Sequence, residues 1–165
     1  MTGWLRVAAI VVGGVIIWTL AAGRVAGEQR LPLAAIVGGA VVTLPFGCTS
    51  LELEPFDPLC PGFHIHTGVD LAAPAGTQVH AASAGIARAG FDPSGAGIFV
   101  AVAVGAHVRV LYCHLSRADV VAGESVTSGQ VIGEVGATGL ATGAHLHFEV
   151  QVDGRAVDPV GWLGS

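Results

Sequence analysis

The sequence predicts an all-β domain of the two-sheet antiparallel sandwich or barrel-like type, preceded by one N-terminal hydrophobic helix. Three observations predict it. Glycine contributes 25 of 165 residues and only 12% of the chain is charged, which suits short strands and tight turns better than a helical bundle. After Gly68 the chain breaks into short β-branched and apolar segments separated by Gly, Pro, Asp and Ser. From Ala144 to Val152 it alternates strictly, with His145, His147, Glu149 and Gln151 on one parity and Leu146, Phe148, Val150 and Val152 on the other. In a strand those sets face opposite ways, so one can line a core while two imidazoles stand together on the other face. Two histidines at i and i+2 can also be no more than a polar strand face.

The chain opens on an apolar run over 7–22, with Arg6 before it and Gly23-Arg24 after it. Counted from Trp4 the run reaches about 20 residues, enough for a membrane helix at roughly 1.5 Å per residue. Trp4 and Trp18 then fall near the two interfaces. Residues 1–23 are read as a retained anchor or as a signal peptide cut near Ala21-Ala22-Gly23. Either reading puts the remainder outside the cytoplasm, membrane-anchored or secreted. Residues 24–30 form a short linker, and 31–165 form the folded domain. The linker spans less than about 30 Å even when extended, so an anchored domain works close to the membrane.

A second apolar stretch, 33–45, is too short to span a membrane, carries Gly38-Gly39 and is bracketed by Pro32 and Pro45. Its β-branched end, Ala40-Val41-Val42-Thr43, reads as the first strand of the domain. Residues 46–62 form a Pro-rich loop holding Cys48 and Cys60, a plausible disulfide in an exported protein; Cys113 is left over and buried. Strands are expected at 79–82, 85–88, 98–104, 108–115, 131–135 and 146–152. Turns are expected at Ala75-Gly76, Pro93-Ser94-Gly95, Gly105-Ala106, Ser128-Gly129 and Asp153-Gly154. No helix is expected after the first, and the tail from Asp158 to Leu163 should pack back on the sheet.

Charge narrows the function. Seven arginines and no lysine stand against twelve carboxylates, for a net charge of -5. Phosphate neutralisation needs clustered Lys or Arg, so nucleic acid is not a partner.

Three stretches carry chemistry. His66-Thr67-Gly68-Val69-Asp70 places an imidazole and a carboxylate four apart, on one parity of an extended chain, with Gly68 free to bend between them. A further histidine from another strand would complete two nitrogens and one oxygen, the composition of an open catalytic zinc site. The other two stretches are Tyr112-Cys113-His114-Leu115, at the end of an apolar strand, and His145-Leu146-His147-Phe148-Glu149.

In this order the three stretches resemble the lysostaphin/LytM-type zinc metalloendopeptidases of the peptidoglycan endopeptidase family. Supporting matches run through Val42-Thr43-Leu44-Pro45-Phe46-Gly47, Asp70-Leu71-Ala72-Ala73-Pro74-Ala75-Gly76-Thr77, Gly123-Glu124-Ser125-Val126, Gly129-Gln130-Val131-Ile132-Gly133, Gly136-Ala137-Thr138-Gly139 and Asp158-Pro159, so the resemblance covers about residues 31–163. It implies a fold of the duplicated hybrid motif type and Zn2+ as cofactor. It implies His66, Asp70 and His147 as metal ligands, and His114 and His145 as catalytic histidines that are not ligands. It implies hydrolysis of stem or cross-bridge peptides of peptidoglycan by a zinc-activated water. The chain departs from the family at Cys113, where glycine is usual, and at His64, where arginine is common; His80 and His107 match nothing. Some members lack ligands and only activate other hydrolases, so the alternative is a non-catalytic zinc-binding regulator in the same fold.

Other chemistries fit less well. A cysteine peptidase would need Cys113 paired to a histidine, and His114 should point to the opposite strand face. The turns around 123–139 look like those of biotinyl and lipoyl carriers, but carriers need a lysine, and none is present. A glycoside hydrolase needs two carboxylates flanking a cleft, and would leave five placed histidines without a role.

Overall fold

The computed structural model describes Ala8–Val12 (β1), Val15–Thr19 (β2) and residues 30–164. β1 and β2 form an antiparallel pair of their own, with Val12 opposite Val15. The described part of this run is these two short strands, and they do not confirm the hydrophobic helix expected over it. The rest of 1–23, and the linker up to residue 29, lie outside the described residues. Among those described, no helix is long and apolar enough to cross a membrane.

From Arg30 onward the order is α1 (Leu33–Ile36), β3 (Val41–Leu44), β4 (Gly47–Thr49), β5 (His64–His66), β6 (Gly68–Ala72) and β7 (Gln78–His80). It continues with β8 (Gly85–Asp92), β9 (Gly97–Val104), β10 (Val108–Ala118), β11 (Glu124–Val126), β12 (Val131–Val135), β13 (His145–Val152), β14 (Arg155–Val157) and α2 (Pro159–Leu163). The expected β segments are present. The two helices that were not expected are 4 and 5 residues long, too short for a helical period to show in sequence.

The sheet is antiparallel throughout and runs β11-β8-β9-β10-β13-β6-β3. Its two layers are not the separate sheets the sequence suggested. They are one ten-stranded sheet that forks along β10, which pairs with β13 over 108–113 and with β12 over 115–118. β12 carries β7, and the register shifts at the fork. A bulge of this kind bends the strand and adds twist, which lets one sheet fold over a core.

The apolar parity of β13 fills that core: Leu146, Phe148 and Val150 are fully buried. Tyr112 packs on Phe148 at 5.4 Å between ring centroids, and its hydroxyl accepts a hydrogen bond from the Ala82 amide at 2.7 Å. The tail packs back as expected. Asp158 caps α2 through the Val160 amide, Trp162 is buried, and the Arg30 guanidinium lies 4.2 Å over the indole. Cys48 and Cys60 are joined as a disulfide that ties the 46–63 loop back on itself.

Candidate active site

The polar parity of β13 meets β6 on the sheet face opposite the core. His147 lies directly across from Asp70, and His145 across from Ala72. β5 pairs with β4 rather than with the main sheet, and it brings His66 over the same spot. The three residues converge to nearly equal spacings. His66 Nε2 is 3.0 Å from His147 Nδ1 and 3.1 Å from Asp70 Oδ1, and the latter two are 3.0 Å apart. Among the described residues these three form a group able to hold a metal ion.

The outer nitrogens decide which atoms point inward. His66 Nδ1 donates to the Pro45 carbonyl at 2.9 Å, so its Nε2 presents a lone pair. His147 Nε2 faces the Glu149 carboxylate at 3.4 Å, so its Nδ1 does the same. Glu149 in turn accepts from Thr67 Oγ1 at 2.7 Å and from Gln151 Nε2 at 2.6 Å. With both rings neutral, two imine nitrogens and a carboxylate oxygen stand at the corners of one small triangle as three acceptors. Sides of 3.0–3.1 Å would admit one cation at the usual zinc–nitrogen and zinc–oxygen distance of about 2.0–2.2 Å from each corner. The donor set fits zinc.

Gly68 has a different part from the bend expected of it. It lies within β6, and a Cβ there would come within 2.8 Å of the His147 ring and 2.5 Å of the Phe148 carbonyl. Its bareness lets the His147 imidazole lie flat across the neighbouring strand.

His114 and His145 border the triangle, with ring centroids 4.8 Å apart. His145 donates Nδ1–H to the Gly143 carbonyl at 2.9 Å and sets Nε2 3.7 Å from Asp70 Oδ1. His114 donates Nδ1–H to the Thr138 carbonyl at 2.9 Å. Burial disfavours its charged form and holds its pKa below the ordinary imidazole value, with His145 and His147 adding to the effect.

His114 does not follow strand parity. Its φ is 62°, the register of β10 shifts around it, and its amide bonds to the Ala96 carbonyl. A left-handed non-glycine residue inside a bulge turns its side chain toward the same cavity that Cys113 lines. The expectation that Cys113 and His114 face opposite ways is therefore wrong, because alternation assumes an unbroken register. Cys113 is still no nucleophile: burial, with Glu149 nearby, pushes its thiol up to about 12.

The remaining histidines lie apart from the triangle. His64 Nδ1 bonds to the Glu54 carbonyl, His80 lies 3.4 Å from the Ile36 carbonyl, and exposed His107 pairs with Asp153. Glu149, Thr67 and Gln151 were given no part from sequence. The signal was there, since Glu149 and Gln151 continue the His145–His147 parity.

An antiparallel β domain with a His–Asp–His triangle on one sheet face carries the donor set of an open metal site. Residues 64–159 match peptidase family M23, and the chain belongs to that family. It is similar to the peptidoglycan DD-endopeptidase ShyA of Vibrio cholerae, 40% identical over 93 residues, covering 56% of this chain and 22% of that protein. The catalytic domain of the antimicrobial peptidase lysostaphin from Staphylococcus simulans superposes with a TM-score of 0.64 at 32% identity, covering 76% of this chain and 93% of that one. A zinc-containing peptidase from Vibrio cholerae gives a TM-score of 0.66 at 27% identity, covering 93% and 46%. The chain spans about a quarter or less of the length of the curated relatives it matches.

Proposed function

We propose that this chain is a zinc-dependent endopeptidase that hydrolyses peptide bonds of bacterial peptidoglycan outside the cytoplasm. In this reading residues 31–165 are the peptidase domain, and 1–23 carry it to or across the membrane. One observation carries the proposal: three acceptor atoms close on a point while two further imidazoles border it. Membership of the family and the likeness to a peptidoglycan endopeptidase and to a zinc-containing peptidase support it.

His66, Asp70 and His147 would hold the metal, leaving a position open for water. Zinc there supplies a Lewis acid and lowers the pKa of water toward about 7. His145 then has the geometry of a general base, because its Nδ1–H is committed to Gly143 and its Nε2 is left to take a proton. His114, kept neutral by burial and with its Nδ1–H on Thr138, offers Nε2 as an acceptor that orients the attacking water. That favours orientation over oxyanion stabilisation, since a neutral ring with this tautomer has no second N–H to donate.

Zinc analysis of the purified chain, together with digestion of cell-wall sacculi, tests the reading. The wild type should hold about one zinc and solubilise sacculi, whereas His145→Ala should keep the zinc and lose about 100-fold or more in rate. A wild type that binds zinc yet digests nothing alone would favour the regulator reading. Full activity in His145→Ala would remove that residue from the mechanism.

A further inference from the structure

The sheet face that holds the triangle does not end there. Cross-strand registry places Glu149, Leu111, Ala101 and Arg88 in one row, and Gln151, Arg109, Ala103 and Ile86 in the next. Residues directly opposite share a face, so both rows continue the surface of His147 and Cys113. Three cavities trace the path. The first lies beside His147 and reaches Leu111 and Gln151. The second shares Gln151 with it and reaches Arg109 and Ala103. The third shares Arg109 and Ala103 and ends at Arg88.

The far end of this trough has a distinct chemistry. Ala101 and Ala103 keep its floor low, and exposed Arg88 and Arg109 rise on either side. Among the described residues neither arginine has an ion pair or hydrogen bond, whereas Arg117 is held by Asp119 and Glu134. Two unneutralised guanidinium groups over one shallow pocket are unusual on a chain of net charge -5 with seven arginines and no lysine. Each guanidinium presents a planar fork that matches a carboxylate. At strand spacings of about 4.8 Å and a rise of about 3.3 Å per residue, the pair stands roughly 15 Å from the triangle. That is the length of about four extended residues.

We propose that Arg88 and Arg109 form an anion subsite that takes a carboxylate of the peptide substrate, about four residues from the bond positioned at His66, Asp70 and His147. The subsite rests on the endopeptidase reading and deepens it: this enzyme prefers wall peptides with free carboxylates over those in which the carboxylates are amides.

The test uses the zinc-loaded full chain and three preparations of sacculi: untreated, with carboxylates chemically amidated, and stripped of phosphate polymers. The wild type should digest untreated and phosphate-stripped sacculi alike, and amidated sacculi about tenfold more slowly. Arg88→Gln/Arg109→Gln should bring the ratio of untreated to amidated rates to about one, while Arg117→Gln keeps the wild-type ratio. A ratio that persists in the double variant overturns the subsite, since amidation would then act at the cleavage site itself. A preference lost on phosphate stripping and not on amidation overturns the carboxylate assignment. Co-sedimentation of the same proteins with the same sacculi reads binding without catalysis. If the wild type digests nothing yet still sediments with untreated sacculi in an arginine-dependent way, the endopeptidase reading fails and the subsite stands; equal sedimentation of the double variant overturns the subsite.

Discussion

Each of the four imidazoles around the triangle has one nitrogen committed to an oxygen outside it, and that commitment aims the other nitrogen inward. Three of these partners are backbone carbonyls; His147 alone relies on a side chain, Glu149. Burial opposes ionisation of Glu149, but hydrogen bonds from His147, Thr67 and Gln151 outweigh it and keep the carboxyl below its usual range. Glu149→Gln should therefore weaken zinc binding by about 10–100-fold, because outer partners of a ligating histidine set its tautomer and basicity. Chelator competition measures this; an unchanged affinity would mean the ring is held by packing alone. Cys113 gives a second prediction at this scale. With its thiol pushed up to about 12 and its side chain buried, iodoacetamide at pH 8 should leave it unmodified in the native chain and label it after denaturation.

Among the elements, the clamp between the His114 bulge and the 136–139 turn has most to do with function. Thr138 Oγ1 accepts from the Ile98 amide at 2.8 Å and donates to the Leu115 carbonyl at 2.7 Å, while its own carbonyl receives His114. Gly136 and Gly139 are bare because a Cβ at either would lie 2.3 Å from a backbone nitrogen of the facing segment. Thr138→Val keeps the shape but leaves two backbone groups unpaired, at a cost of about 1–3 kcal/mol. The variant should retain zinc and lose turnover, since it loosens His114 and leaves the triangle intact; zinc content and initial rate on sacculi measure the two. β13 was legible in the sequence because its period of two runs without a break from His145 to Val152, with one face wholly apolar. The triangle was legible through the resemblance, and registry across β6 and β13 then accounts for it. The bulge at His114 was not legible, since no turn residue marks it and the left-handed backbone is imposed by tertiary contacts. The arginine pair escaped for a related reason: Arg88 and Arg109 lie on strands whose adjacency depends on fold topology, not on spacing along the chain.

Across the whole molecule, the site ties folding stability to pH and metal in opposite directions. Without a cation, burial disfavours charge on both partners of the Asp70–His147 pair, but their mutual hydrogen bond and the neighbouring groups prevail. Asp70 is held well below the usual carboxylate range by His147 and His66, and His147 is pushed up to about 9 by Asp70 and Glu149. A histidine whose folded value exceeds its unfolded value of 6.5 stabilises the fold fully below 6.5 and ceases to do so as pH rises through about 9. The metal-free chain should therefore lose stability across that interval, by at most about 3 kcal/mol. Zinc requires the neutral ring, so each ion bound displaces this proton, and apparent affinity should rise by up to about tenfold per pH unit over the same interval. The melting temperature of the chelated protein should thus fall between pH 6.5 and 9 while the increment conferred by saturating zinc grows. Thermal unfolding with and without zinc at three pH values measures both trends. A zinc increment that shrinks as pH rises would mean that the proton and the metal do not compete for His147, and the triangle would then not be the metal's binding site.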